Sequence, residues 1–321
     1  MKIVVYGASV TAQKGESGYF ERLAEYKPNE IELIRIPYGA SHLHFAGIAM
    51  LQKVLDEQPD VCILDWVTPS TKVFPQGIVE RINNILLSNN IRPIWLLFPR
   101  TDDPNSERQC CNQIYATESD NVTVRAFQNS NFHEENLSTI LRDVVHTNSV
   151  GAERYAQFAL EVIKNIKLEA SKERQPLQAP PIVQIGQRIS AQSSIAIDIS
   201  VAKETDVTAY LYAKIGPKSP VIEVSLYDKF GNKCVLEKNV TDPWCYYERD
   251  MLLNFPTFKK VEEGDYQLKF RLKNVNPFDS IKTLKPIDED SMKIENNERF
   301  LDVNEASIDG SVLIKGIQHG L

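Results

Sequence analysis

Cysteine is scarce in this chain and badly placed for cross-linking. The 321 residues hold five: Cys62, Cys110, Cys111, Cys234 and Cys245. The number is odd and no C-x-x-C pair occurs, which argues against a disulfide framework and for reduced thiols. Cys110 and Cys111 are adjacent but have no histidine near them in sequence, so no metal site is expected there. Cationic clusters are missing as well. Lysine and arginine total 36 against 43 acidic residues, a net charge of -7. Without a basic run or a basic-aromatic stripe, a nucleic acid partner is not expected. No apolar run reaches the roughly 18 residues a membrane span requires. The N-terminus reads as a first strand rather than a signal peptide, which carries the expectation of a cytoplasmic protein. Internal repeats and low-complexity tracts are absent too.

What is present divides at about residue 170. Before it, short apolar strands alternate with helical segments. The strands are KIVVYG, IELIRIPYG, DVCILDW, IRPIWLLFPR and NVTVRAFQ. The helices are YFERLAEY, HFAGIAMLQKVLDEQ, PQGIVERINNILLSNN, NSERQCCNQIYATES and GAERYAQFALEVIKNIKLEA. Strands apolar on both faces, separated by helices, predict a three-layer α/β domain: a parallel sheet covered on both sides. Ligands of such sheets bind beyond the carboxyl ends of the strands.

A charged, Gln- and Pro-rich stretch follows. The expected division is an α/β domain over 1–170, a linker over 171–183 and a second domain over 184–321. In the last part the period falls to two, through SSIAIDISVAK, DVTAYLYAKI, VIEVSLYDKFGNKCVLEKNV, GDYQLKFRLKNV and a final SVLIKGI. This predicts an antiparallel β-sandwich with a hairpin turn at Gly231-Asn232. The tail from about Lys282 reads as acidic up to that last strand.

The chemistry concentrates in the first domain. Its first strand ends in Gly7-Ala8-Ser9, a turn of small residues that exposes a hydroxyl. A serine needs a base and a set of donors for the oxyanion that follows attack. Of the five histidines, His146 stands in RDVVHTNSVGAERYA, just before the last helix, with Asp143 three residues earlier. On a tight loop that spacing brings the carboxylate to one imidazole nitrogen and leaves the other to act as base. Asn148 or Ser149 is the expected cap of the helix that follows.

These features together resemble the SGNH/GDSL hydrolases, over about residues 1–168. That family's Gly-Asp-Ser block reads Gly7-Ala8-Ser9 here, with Ala8 in place of the aspartate. A second-block glycine matches Gly39 in IPYGASH, and the last block's D-x-x-H matches Asp143 and His146. The resemblance implies an acyl-serine mechanism, with Ser9 as nucleophile, His146 as base and Asp143 as its orienter. It also implies an oxyanion hole built from the backbone N–H groups of Ser9 and Gly39. The family's third block, Gly-x-Asn after the third strand, is not matched: the strand runs VCILDWVTPST, leaving Asp65, Trp66 or Thr68 in the neighbourhood, and Thr68 could donate a hydrogen bond as a third donor.

Other residues lie at the same sheet edge. His42 and His44 begin the second helix, as substrate contacts or as polar surface. Arg100 in LLFPRTDDP is placed to hold an anionic substrate group or to pair with Asp102 or Asp103. In the second domain DPWCYYERD gathers Trp244, Tyr246 and Tyr247, the composition of a sugar platform or of ordinary cross-strand packing. The resulting expectation is an esterase removing a small O-acyl group, an acetyl, from a carbohydrate, with no cofactor. The same residues also suit an O-acetyltransferase using a donor such as acetyl-CoA. The unmatched third block suits a non-catalytic carbohydrate-binding protein on a degenerate hydrolase fold.

Overall fold

The computed structural model describes residues 1–68, 73–166 and 175–320. The chain forms two compact units, Met1–Ala179 and Pro180–Leu321. The end of the expected linker therefore belongs to the second unit, whose first strand begins at Ile182. Positions 171–174 of that linker lie outside the described residues.

The first unit runs β1 (Lys2–Gly7), α1 (Ser9–Ala12), α2 (Tyr19–Tyr26), β2 (Glu32–Pro37), α3 (Gln52–Asp56), β3 (Val61–Asp65), α4 (Ile78–Ser88), β4 (Arg92–Leu97), α5 (Gln109–Tyr115), β5 (Thr123–Ala126) and α6 (Ser149–Lys164). The strands form one parallel sheet in the order β2-β1-β3-β4-β5. Alternation along each strand sends successive side chains to opposite faces. On one face Ile3, Val5, Ile63 and Leu96 pack with Leu23 of α2 and with Ala152 and Tyr155 of α6. Their neighbours Val4, Tyr6, Leu64 and Trp95 point the other way and are also fully buried. There the Trp95 indole donates to Asn83 of α4 at 2.9 Å, and the Tyr6 hydroxyl donates to the Ala46 carbonyl. Both faces are thus covered, as doubly apolar strands require.

One helix departs from expectation. HFAGIAMLQKVLDEQ is not continuous. It opens with a π-helical turn at Leu43–Gly47, and α3 itself spans only Gln52–Asp56. A wide turn of this kind is a local irregularity that 3.6-residue periodicity does not encode.

The second unit contains β6 (Ile182–Ile189), β7 (Ser194–Val201), β8 (Thr205–Ile215), β9 (Val221–Asp228), β10 (Lys233–Asn239), β11 (Arg249–Asn254), β12 (Phe258–Val261), β13 (Gly264–Lys273), β14 (Leu301–Asp309) and β15 (Val312–Gly320). Two antiparallel sheets, β10-β9-β13-β7-β15 and β11-β8-β14-β6 with β12 beside β8, share one core. Ile197 and Ile199 of β7, Leu268 and Phe270 of β13, and Leu211 and Ala213 of β8 lie in it. At the β9–β10 turn Gly231 takes a φ of 82°, and the Asp228 carboxylate accepts from Phe230 N and Asn232 N. The acidic tail contains a further strand, β14. A bulge between Val303 and Glu305 shifts its inward set from Leu301 and Val303 to Ala306 and Ile308, so no single two-residue period runs through it.

Candidate active site

The carboxyl ends of β1, β2 and β3 meet at Gly7, Pro37 and Asp65, which are register partners. Two backbone bonds join the segments just beyond. Ala8 N donates to Asp65 O at 2.9 Å, and Tyr38 N donates to Gly7 O at 2.8 Å. Gly7 is required by space: a Cβ there would stand 2.3 Å from Thr11 Oγ1 and 2.6 Å from Asp65 O. The turn into α1 is therefore as close as backbone allows. Ser9 opens α1 and is partly exposed. Its N–H belongs to a first helical turn, which has no intrahelical acceptor. Gly39 lies beside the same helix, where a Cβ would meet only Ala12 Cβ, at 3.9 Å. Packing does not demand that glycine.

Asp143 and His146 come together as the spacing suggests. Imidazole Nδ1 stands 2.9 Å from Asp143 Oδ2 and 3.0 Å from Oδ1. The carboxylate also accepts from the backbone N–H of Val145 and His146, at 3.0 and 2.8 Å. Burial opposes ionisation of Asp143, but these N–H groups and the imidazole outweigh it and hold the carboxyl below its usual range. The loop is closed by Arg142 N donating to His146 O at 2.8 Å, and tied to the end of β4 through Thr101 N on Val144 O at 3.0 Å. Asn148, rather than Ser149, caps α6, accepting from Gly151 N at 2.9 Å.

The histidine loop is fastened to the serine segment by residues that the sequence reading passed over. Gln13, directly after α1, donates through Nε2 to Thr147 O at 3.1 Å. Its Oε1 accepts from both Thr147 N and Thr147 Oγ1, each at 3.2 Å. Thus a residue four beyond Ser9 grips a residue one beyond His146. No hydrogen bond joins Ser9 and His146 directly; Asp143 holds the ring through Nδ1. Gln13 stands in SVTAQ, but a lone glutamine carries no sequence signal for a partner 134 residues away.

The segment after β3 holds no asparagine. Asp65 is fully buried and turned from the turn's open side into the α2–α6 face of the sheet. Its Oδ2 accepts from Thr11 Oγ1 at 2.8 Å, and Thr11 Oγ1 lies 3.1 Å from the Tyr19 hydroxyl. Burial pushes the Asp65 carboxyl up to about 7, against the pull of Thr11. Thr68 Oγ1 is buried without a partner, and so is the Trp66 indole nitrogen. Arg100 is occupied: Nε and Nη2 pair with Asp102 at 2.7 and 2.9 Å, while Nη1 donates to Thr68 O at 2.8 Å. The expected contact with an anionic substrate gives way to a clamp on the loop after β3. Arg108 clamps the preceding carbonyl, Val67 O, at 3.1 Å.

His42 and His44 stack with ring centroids 5.6 Å apart, against Phe45. Burial lowers the His42 imidazole, and burial followed by the neighbouring His42 lowers His44 to about 4. Both are packed rings rather than open surface. Among the described residues no group of three or more His, Cys, Asp and Glu is gathered to hold a metal ion. No helix among them is long and apolar enough to cross a membrane.

In the second unit Trp244 and Tyr247 are 49% and 44% exposed. The Trp244 and Tyr246 rings are inclined at 39°, and Tyr246 and Tyr247 at 56°. They form a twisted cluster rather than a flat platform.

No family model matches the chain, and no curated protein sequence does. A solved structure described as a two-domain esterase active on acetylated mannans aligns over 97% of this chain and 91% of its own. The identity is 14% and the TM-score 0.59. The chain shares the fold of that two-domain structure. A second structure of that esterase, co-crystallised with mannopentaose, aligns equally well, at a TM-score of 0.59 and 14% identity. An acetyl xylan esterase aligns over 51% of this chain and 100% of its own, at 20% identity and a TM-score of 0.42. At 14% identity the likeness to the mannan esterase is one of fold, and the chemistry is argued from the residues of this chain.

Proposed function

We propose that this chain is a serine-dependent acyl-ester hydrolase that removes an acetyl group from a carbohydrate. The observation that carries the reading is the Asp143–His146 pair, on a loop locked through Thr147 and Gln13 to the segment that Ser9 opens. Ser9 Oγ attacks the ester carbonyl while His146 Nε2 takes its proton. Asp143 keeps the Nδ1 proton in place and stabilises the imidazolium. The backbone N–H groups of Ser9 and Gly39 hold the oxyanion. Collapse expels the sugar oxygen, which takes the proton from His146. Water then enters by the reverse path, giving its proton to His146, which passes it to Ser9 Oγ as the acyl–oxygen bond breaks and acetate leaves. The alignment with an esterase active on acetylated mannans supports the choice of substrate class.

The test is a fluorophosphonate probe on the purified protein, followed by acetate release from an acetylated mannan. The wild type is expected to label and to release acetate. Ser9→Ala and His146→Ala are expected to lose about three orders of magnitude or more in rate. A wild type that neither labels nor releases acetate would overturn the reading. Acetyl groups found on an added sugar acceptor instead of in solution would replace hydrolysis by transfer.

A further inference from the structure

Asp65 is a fully buried acid that the proposed reaction does not use. It nonetheless touches the serine segment twice. Its carbonyl accepts from Ala8 N, the residue before Ser9, at 2.9 Å. Its carboxyl meets Thr11 Oγ1, two residues after Ser9, at 2.8 Å. The Thr11 hydroxyl in turn lies 3.1 Å from Tyr19 Oη on α2. Ser9 is thus bracketed on both sides by one residue of the neighbouring strand.

We propose that Asp65 is the positioning residue of the Ser9 turn, holding Ala8 through its carbonyl and Thr11 through its carboxyl so that the nucleophile is presented in one geometry. The inference rests on the reading of Ser9 as nucleophile.

The surroundings favour an uncharged acid. Asp65 Oδ1 is buried without a hydrogen-bond partner. Tyr19 from α2 and Tyr155 from α6 are the titratable groups facing it, and burial keeps both protonated. β1 brings Gly7, and the residue just after β4, Phe98, is stacked on Tyr155 at 4.0 Å. The cation Arg35 lies behind Tyr19 and is paired with Glu21 at 2.7 Å. Among the described residues no cation bonds to Asp65. A carboxylate here would bury a charged oxygen with no donor. A carboxylic acid avoids that charge: Oδ2 still accepts from Thr11 Oγ1, which stands 3.1 Å from Tyr19 Oη, and the unpartnered Oδ1 is neutral.

Ionisation breaks this arrangement and puts a negative charge in the core beneath a centre where acyl transfer builds another. The experiment is therefore a pH profile of fluorophosphonate labelling and of kcat for the full chain. Wild type is expected to fall about tenfold below its plateau by pH 8, as a single group near 7 ionises. Asp65→Asn keeps the shape and a donor but cannot ionise, and is expected to stay level over the same range. Thr11→Val removes the linking hydroxyl at constant volume. Its kcat is expected to fall about tenfold with KM within about twofold, and Thr11→Ser to restore it. Matching profiles for wild type and Asp65→Asn, or a fully active Thr11→Val, would overturn the inference while leaving Ser9 as nucleophile. A wild type that labels at no pH would remove the Ser9 reading and this inference with it.

Discussion

The two units bury polar groups in different places. The sandwich joins an aliphatic and aromatic cluster, from Ile185 and Ile195 to Phe270 and Ile308, with buried polar groups such as Ser225, Arg299 and Ser307. The α/β unit is as dry along its strands, but at their carboxyl ends it buries Thr11, Ser41, Asp65, Thr68 and Ser106. Several atoms there have no hydrogen-bond partner: Ser41 Oγ, Asp65 Oδ1, Trp66 Nε1 and Thr68 Oγ1 among them. A protein built only for stability pairs such groups or replaces them with carbon. These four lie near the carboxyl ends of β2 and β3, beside the site proposed for the chemistry.

If the contrast holds, lesions in the sandwich are read in stability and lesions at the sheet edge in activity. Phe270→Ala, in the centre of the sandwich, should cost about 3–5 kcal/mol in chemical denaturation. Gly7→Ala sharpens the comparison at the other end. Its Cβ would collide with Thr11 and Asp65, so about 1–3 kcal/mol should be lost. Gly39→Ala, with 3.9 Å of clearance, should change stability by less than about 0.5 kcal/mol. Because Gly39 would act through its backbone, acetate release should survive that change, whereas a collapse in rate would point to a carbohydrate packed against its α-carbon. Asn148→Ala removes the cap of α6 and should cost about 1 kcal/mol, seen as a lowered melting temperature.

A further expected effect is a pH dependence. Burial, with His42 second, lowers the His44 imidazole to about 4. The folded state holds the neutral ring, while the unfolded chain takes up a proton near its ordinary 6.5. That part of the stability is whole above 6.5 and is lost as pH falls from there toward 4. His44→Gln should flatten the acid side of a plot of melting temperature against pH. An unchanged slope would mean that the His42–His44 stack bears none of it.

Much of this was legible in one dimension. YFERLAEY is α2 residue for residue, and KIVVYG is β1. Asp143-x-x-His146 pairs across a turn of four residues, so spacing alone implied the contact. Elements with irregular period were not legible. A bulge split β14 into two short registers, and β6 carries Gly186 at a φ of 61° within a strand that keeps only Ile185 and Ile189 buried. β11 and β12 are too short to show alternation. At the site, the Asp143–His146 pair could be foreseen, but not Gln13 on Thr147 or Asp65 on Thr11, because neither pair shares a local pattern.

The amino-acid sequence by itself determined what is local: strand and helix periods, a cap at Asn148 or Ser149, the small-residue turn at Ser9, and the change from a 3.6- to a two-residue repeat between the halves. Those follow from the steric and burial preferences of residues a few positions apart. Only the tertiary structure decided which strand ends meet, that Arg100 is spent on Thr68 O and Asp102, and that Asp65 lies dry beneath the serine turn. Long-range packing sets the distances and excludes the water on which the charge of a buried carboxyl depends, and no stretch of sequence carries that information alone.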